Sequence, residues 1–119
     1  SFFGVVASPD QAYVIAFGLG GNAAYSDDLG QTWKHIQTKA GAALAGGVVR
    51  PDGSVLLVSY SGVVLTGSGK TGIFTSRRSG KGWTAVAEAG DGHIVLVGIG
   101  GVHRPELKNA DSALTLEGR

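Results

Sequence analysis

Cysteine and methionine are both absent from the 119 residues, and proline occurs only three times. Without cysteine the chain forms no disulfide and offers no thiolate nucleophile or thiolate metal ligand. Ten lysine and arginine residues face nine aspartate and glutamate residues, so the net charge of +1 creates no general field that attracts nucleic acid or an anionic membrane. No apolar run approaches the roughly 20 residues of a membrane-spanning helix. We therefore expect neither a membrane span nor a nucleic-acid partner.

Glycine, in contrast, is abundant. Its 21 copies far exceed the usual share of roughly 7 per cent, and they show no collagen period. They are scattered among runs of Val, Ile, Leu and Ala, a pattern typical of short strands joined by tight turns. The length suits one small domain with a modest core. The sequence therefore predicts an all-β fold.

Turn motifs recur at a nearly constant spacing along the chain. Pro51-Asp52 follows Pro9-Asp10 at an offset of 42 (51 − 9 = 42), and Asp91 follows Asp52 at an offset of 39 (91 − 52 = 39). Each turn separates two strand-like runs, and the first unit continues with two more runs, at residues 23–26 and 32–37. A period of roughly 40 to 45 residues with four strands per unit is typical of β-propeller blades. We predict four-stranded antiparallel meanders, about two and a half to three blades in number.

The repeats also predict boundaries. We place blades at residues 2–41 and 42–83 and a partial blade at 84–104, which together form a repeat domain of residues 1–104. Residues 105–119 are polar, follow no period and are interpreted as a C-terminal tail. Closed propellers usually have at least four blades. The chain is therefore expected either to be a segment of a longer propeller or to complete one as a homo-oligomer.

The stretch between the third and fourth predicted strands combines a turn, a carboxylate and an aromatic ring. It reads Ser-Asp-Asp-Leu-Gly-Gln-Thr-Trp at residues 26–33. We expect Asp28 to accept backbone N–H groups across the turn and Gly30 to take a positive φ. Trp33 is expected to begin the next strand with its ring packed under the turn. These features predict a structural role for the Asp28 carboxylate.

A second stretch, at residues 76–83, echoes the first in degraded form. It reads Ser-Arg-Arg-Ser-Gly-Lys-Gly-Trp, with an arginine in the aspartate position. Its offset from the first stretch is 50 (83 − 33 = 50), which exceeds the offset of 42 between the proline turns and indicates an insertion around residues 66–71. The retained positions are Ser76, Gly80 and Trp83.

The first stretch resembles the Asp-box, Ser-x-Asp-x-Gly-x-Thr-Trp, of bacterial neuraminidase (BNR) repeats. The matching positions are Ser26, Asp28, Gly30, Thr32 and Trp33. With turns at Gly62-Val63 and Gly101-Val102, residues 2–104 are also similar to sialidase-like propellers related to photosystem II stability and assembly factors and their bacterial relatives. The resemblance implies a non-catalytic scaffold for protein interaction or assembly, in the periplasm or outside the cell.

The same superfamily includes glycoside hydrolases, so a fragment of a sialidase-like enzyme is the alternative function. A sialidase site would need clustered arginines, a tyrosine nucleophile supported by a glutamate, and an acid/base aspartate. The residue types are present, but no motif places them together. We therefore predict no catalytic residue and no cofactor. We also predict no metal site, because the three histidines lack any close ligand spacing. The residues that supply the sialidase types are Arg50, Arg77, Arg78, Arg104, Tyr13, Tyr25, Tyr60 and Glu88.

Residues 67–71, Gly-Ser-Gly-Lys-Thr, resemble part of a phosphate-binding loop. The first glycine of that motif is missing, because Val64 occupies its position, and no amphipathic helix follows. We interpret the segment as an exposed hairpin insertion. The candidate contacts for a protein partner are Lys70, Thr71, Arg77 and Arg78.

Overall fold

The structure, a computed structural model, describes residues 1–10, 12–36, 38, 41–68, 73–78, 82–90, 92–104, 106–107 and 114–115. These residues form an all-β fold of consecutive antiparallel sheets, which confirms the predicted fold class. Sheet 1 contains β1 (Phe2–Ala7), β2 (Val14–Gly18), β3 (Ala23–Ser26) and β4 (Lys34–Ile36). Sheet 2 contains β5 (Leu44–Val49), β6 (Ser54–Ser59), β7 (Val63–Ser68) and β8 (Ile73–Arg78). Sheet 3 contains β9 (Trp83–Glu88), β10 (Ile94–Gly98) and β11 (Gly101–His103).

Each sheet is a meander whose neighbouring strands are consecutive in the chain. A 3-10 turn, Leu19–Gly21, joins β2 to β3. In the predicted tail, two short strands, β12 (Glu106–Leu107) and β13 (Leu114–Thr115), pair with each other. In the part of the chain that the structure describes, no helix is long and apolar enough to cross a bilayer. The sheets are propeller-like in their strand order, and they form an open stack rather than a closed ring.

The same irregularity recurs in the first strand of every sheet. Phe2 pairs with Gly18 and Gly4 with Phe17, so that Phe3 is an extra residue that forms a β-bulge. Ala45 and Thr84 are the extra residues at the corresponding points of sheets 2 and 3. The bulges are separated by offsets of 42 and 39 (45 − 3 = 42; 84 − 45 = 39), the same offsets that the sequence motifs show. Backbone geometry thus confirms the repeat.

Two apolar layers hold the three sheets together. One lies between sheets 1 and 2 and includes Ile15, Phe17 and Leu57; the other lies between sheets 2 and 3 and includes Val58 and Trp83. Sheet 2 is covered on both faces, so consecutive residues of β6 are buried rather than alternately buried and exposed. Its apolar Val-Leu-Leu-Val run follows from this position in the middle of the stack.

Polar contacts join the ends of neighbouring sheets. The Tyr13 hydroxyl of sheet 1 donates to the Gly53 carbonyl of sheet 2, at 3.1 Å. Between sheets 2 and 3, the Arg50 Nε donates to Glu88 Oε1 at 2.8 Å, and its Nη2 donates to the Gly92 carbonyl at 3.0 Å. Burial raises the pKa of Tyr13, and the charges of two nearby aspartates raise it further. These contacts fix the relative positions of the turns at one end of the stack.

Two sequence predictions differ from the observed strands. Trp83 begins β9 and therefore belongs to sheet 3, so the second sheet ends before the boundary predicted at residue 83. Residues 66–68, expected in an exposed loop, extend β7 and pair with Ile73–Thr75 of β8. The insertion therefore lengthens the hairpin of β7 and β8, because Thr66 and Ser68 continue the strand pairing between them. Residues 69–72, which include Lys70 and Thr71, lie outside the described part of the chain.

Candidate functional site

The turn from Ser26 to Trp33 is closed by side chains. Ser26, at the end of β3, is almost fully buried, and its hydroxyl donates to Asp28 Oδ1 at 2.8 Å. The same Oγ accepts the Gly30 N–H at 2.9 Å. Gly30 has φ 86°, which confirms the positive φ expected from the sequence. The neighbouring Leu29 also has a positive φ, of 64°, a conformation that non-glycine residues seldom adopt.

The Asp28 carboxylate bridges to the far side of this turn. Its Oδ1 accepts the Thr32 N–H at 2.8 Å, and its Oδ2 accepts the Thr32 hydroxyl. The hydrogen bonds from the Thr32 hydroxyl and N–H, followed by that from Ser26, lower the pKa of Asp28 to about 2. The carboxylate thus accepts a backbone N–H across the turn, as expected from the sequence, and also two hydroxyl groups that the sequence did not predict.

Trp33 packs against the turn with part of its ring open to solvent. Its Nε1 donates to the Gly30 carbonyl at 3.0 Å, and its Cζ2 lies 3.7 Å from the position of a Cβ on Gly30. The side chain is nevertheless 44% exposed. The prediction for Trp33 was therefore wrong in two respects, because β4 begins only at Lys34 and the ring lies beside the turn, outside the apolar layer between sheets 1 and 2.

A second serine–aspartate pair closes the turn between β1 and β2. The Ser8 hydroxyl donates to Asp10 Oδ1 at 2.7 Å and accepts the Tyr13 N–H at 3.1 Å. Asp10 Oδ1 also accepts the Ala12 N–H at 3.0 Å. The sequence predicted a turn at Pro9-Asp10 but not this pair, whose signal is Ser-x-Asp, the first half of the pattern at Ser26–Asp28. Sheet 1 thus has a Ser–Asp side-chain hydrogen bond in two of its turns.

The degraded copy of the motif has a different location. Ser76 lies in β8 and Trp83 begins β9, so this stretch links two sheets rather than the third and fourth strands of one. Trp83 pairs with Gly98 just before the bulge, as Leu44 pairs with Ser59. Its structural counterpart is therefore Leu44 and not Trp33. The Gly80 position of the copy lies outside the described residues.

The arginines named as partner contacts or as sialidase residues lie at separate places. Arg50 is bound to Glu88 and Gly92 at one end of β6. Arg78 lies at the opposite end of β6, where its Nη1 donates to the Ser61 carbonyl at 3.0 Å. Arg77 is exposed on β8. Among the described residues, no group of three or more His, Asp or Glu side chains could hold a metal ion.

Three equivalent turns present large apolar side chains at one end of the stack. These turns join β2 to β3, β6 to β7 and β10 to β11. Each turn follows the second strand of its sheet, which is the strand that pairs with the bulged first strand. In each turn one residue donates its backbone N–H to the carbonyl just before the first strand of the sheet, at 2.8–3.1 Å. Its side chain is more than half exposed. These residues, which we call the turn row, are Leu19, Tyr60 and Ile99.

The turn row is continuous between sheets 2 and 3. A Cβ on Gly82 would contact the Tyr60 carbonyl and lie 3.1 Å from Ile99 Cδ1, so the two turns meet at this glycine. No sequence motif marks the row. Its signal is only a pair of offsets, 41 and 39 (60 − 19 = 41; 99 − 60 = 39), between Leu19, Tyr60 and Ile99, without a shared residue type.

No protein-family model matches the chain, and no curated protein sequence matches it. The side-chain hydrogen bonds of the Ser26–Trp33 turn stabilise the backbone, whereas the turn row places apolar side chains in solvent. The first arrangement stabilises the turn conformation, and the second forms an exposed apolar surface.

Proposed function

We propose that the chain is a non-catalytic, propeller-like repeat segment that acts as a protein-interaction or assembly scaffold. This function is the one implied by the resemblance of Ser26–Trp33 to the Asp-box. The observation that supports it best is the turn row, because three sheets present exposed apolar side chains from equivalent, hydrogen-bonded turns. The same resemblance favours a periplasmic or extracellular location.

The composition of the turn row suits a protein partner. None of the three turns, residues 18–22, 59–62 and 98–101, contains a charged residue. The cores of protein interfaces are depleted in charge and enriched in aromatic residues, and tyrosine is frequent among the side chains that dominate binding energy. Tyr60 is central in the row and is the residue whose loss we expect to weaken binding most.

The polar residues favour a scaffold over a hydrolase. The Asp28 carboxylate accepts hydrogen bonds within its own turn, and Arg50 is engaged by Glu88 and Gly92. Tyr13, another residue type that a sialidase needs, donates to Gly53. Each of these groups has a structural partner in the fold, and Arg78 lies at the other end of β6 from Arg50.

Photo-crosslinking in the source cells can test the scaffold proposal. The test variant replaces Leu19, Tyr60 and Ile99 by serine. Leu29→Ser is a matched control, because Leu29 is also apolar and highly exposed but lies in a different turn. We expect specific proteins to be crosslinked by the wild type and by the control and lost from the triple variant. An unchanged set of crosslinked proteins, with circular dichroism showing folded variants, would contradict the assignment of the turn row.

An activity assay addresses the alternative. The purified chain should show no hydrolysis of a fluorogenic sialoside above the uncatalysed rate. Hydrolysis that co-elutes with the folded protein in gel filtration, and that disappears on unfolding in urea, would overturn the non-catalytic proposal in favour of a glycosidase-like one.

A further inference from the structure

Sheet 3 has an apolar face that no other sheet of the described chain covers. We call the face of a sheet that is turned toward the next sheet its forward face, and the opposite one its backward face. The forward face of sheet 2 packs on sheet 3. Aligning the strand pairs of the two sheets shows which residues of sheet 3 occupy the same positions on its own forward face. The residues of sheet 2 that pack on sheet 3 are Gly46, Val48, Leu56, Val58 and Val64. Their counterparts on sheet 3 are Ala85, Ala87, Val95, Val97 and Val102.

All five positions on sheet 3 are apolar although they lie at the surface. Val97, in the central strand β10, is 39% exposed, and Val102 is more exposed still. Sheets with one solvated face usually carry polar residues on it. The forward face of sheet 3 is therefore built in the same way as the face of sheet 2 that is buried.

The backward face of sheet 1 shows the same property. The residues of sheet 2 that pack against sheet 1 are Leu44, Gly47, Val49, Val55, Leu57, Val63 and Leu65. Their counterparts on sheet 1 are Phe2, Val5, Ala7, Val14, Ala16, Asn22 and Ala24. All of these counterparts except Asn22 are apolar, and Val5 is 63% exposed. The stack thus ends in two different apolar faces.

The existing contact between sheets 2 and 3 shows how these two faces would meet. Val58 on the forward face of sheet 2 and Val86 on the backward face of sheet 3 belong to the same apolar cluster. Val97 is the counterpart of Val58, and Val5 is the counterpart of Val86. Sheet 3 packed on a further copy of sheet 1 would therefore repeat the same combination of valines.

We propose that the forward face of sheet 3 binds the backward face of sheet 1 of a second copy of this chain, head to tail. The contact is heterologous, so it generates either a closed ring or an open stack. Two copies would supply six sheets, within the four to eight blades of closed propellers. The proposal concerns faces that the turn row does not use, and its failure would leave the scaffold proposal untouched.

Two single variants and their mixture test this arrangement by multi-angle light scattering and sedimentation velocity. Val5→Asp places a charge on the backward face of sheet 1, and Val97→Asp places one on the forward face of sheet 3. Burial of an unpaired carboxylate should weaken association roughly tenfold or more. Leu29→Asp, with the same charge in an exposed turn, is the control.

We expect the wild type and the Leu29→Asp control to have the mass of two or more copies, and each face variant to be monomeric. A 1:1 mixture of the face variants should form a dimer, because one supplies an intact sheet 3 and the other an intact sheet 1. A monomeric wild type would overturn the proposal, as would one face variant that still self-associates. A mixture that remains monomeric while circular dichroism shows both variants folded would overturn it as well.

Discussion

Trp33 and Trp83 end two stretches that share the pattern Ser-x-x-x-Gly-x-x-Trp. Trp33 is 44% exposed and Trp83 is 1% exposed. Trp33 lies beside a turn within sheet 1, where its indole N–H binds the Gly30 carbonyl. Trp83 begins the first strand of sheet 3 and packs among apolar side chains between two sheets. The comparison shows that one sequence pattern can occur at two positions that are not equivalent in the fold.

The two surroundings also differ in what stabilises them. Around Trp33 the backbone is held by the Asp28 carboxylate and the Ser26 hydroxyl. The described contacts of Trp83 include apolar packing between sheets 2 and 3 and an edge-to-face contact with the His103 ring, at 5.2 Å between centroids. We therefore expect the turn at Trp33 to be sensitive to protonation of the Asp28 carboxylate. We expect the packing around Trp83 to be sensitive to changes in side-chain volume.

The largest expected effect is that of Trp83→Ala. Removal of a fully buried tryptophan leaves a cavity between sheets 2 and 3, and we expect a loss of about 3–5 kcal/mol in the free energy of unfolding. Trp33→Ala should cost less than about 1 kcal/mol, since the ring is half open to solvent. Urea unfolding followed by circular dichroism measures both values. If Trp33→Ala were the more damaging change, the distinction between the two tryptophans would be wrong.

The second comparison involves the glycines beside the two rings. Gly98→Ala should destabilise the fold by about 1–3 kcal/mol, because the new Cβ would lie 3.0 Å from Trp83 Cε3 and would also clash with the Gly82 carbonyl. Gly30→Ala meets no such clash, and its cost of about 1 kcal/mol comes from the positive φ. Thermal unfolding should rank the variants in this order. Gly30→Asn is a useful control, because asparagine tolerates a positive φ better than alanine does.

The smallest expected effect is local and depends on pH. The pKa of Asp28 is lowered to about 2 from an unfolded value of 3.8, so its contribution is fully present above pH 4 and is lost as the pH falls through about 2. The Trp33 indole N–H, observed by NMR, should report this loss in the wild type. Asp28→Asn should remove the acid-dependent change in that signal. The same titration in both proteins would show that another group controls the turn.

Local patterns were sufficient to predict the repeat. The offsets between the sequence motifs reappear in the positions of the bulges at Phe3, Ala45 and Thr84. Turn residues such as Pro9 and Gly30 determine the backbone conformation within a few positions of themselves. For this reason the strand order of each meander and the positive φ of Gly30 were predictable, whereas the start of β4 after Trp33 and the exposure of the Trp33 ring were not.

The turn row and the true position of Trp83 were not predictable in this way. Leu19, Tyr60 and Ile99 share a place in the backbone but no residue type, so no motif identifies them. The stretch at residues 76–83 has the spacing of a turn motif. In the structure, however, β8 extends to Arg78, so Ser76 is a strand residue that pairs with Leu65 of β7. Only the pairing of the strands shows where that unit ends.

By itself the sequence determined that this protein consists of short antiparallel strands in a regular repeat, because turns and strand periodicity depend on neighbouring residues. The tertiary structure decided which apolar residues are covered. Val58 and Val97 are both valines and occupy corresponding positions in sheets 2 and 3. Val58 is nevertheless buried by sheet 3, whereas Val97 faces solvent. The difference arises because burial depends on which sheet packs against a face, and that contact joins residues far apart in the chain.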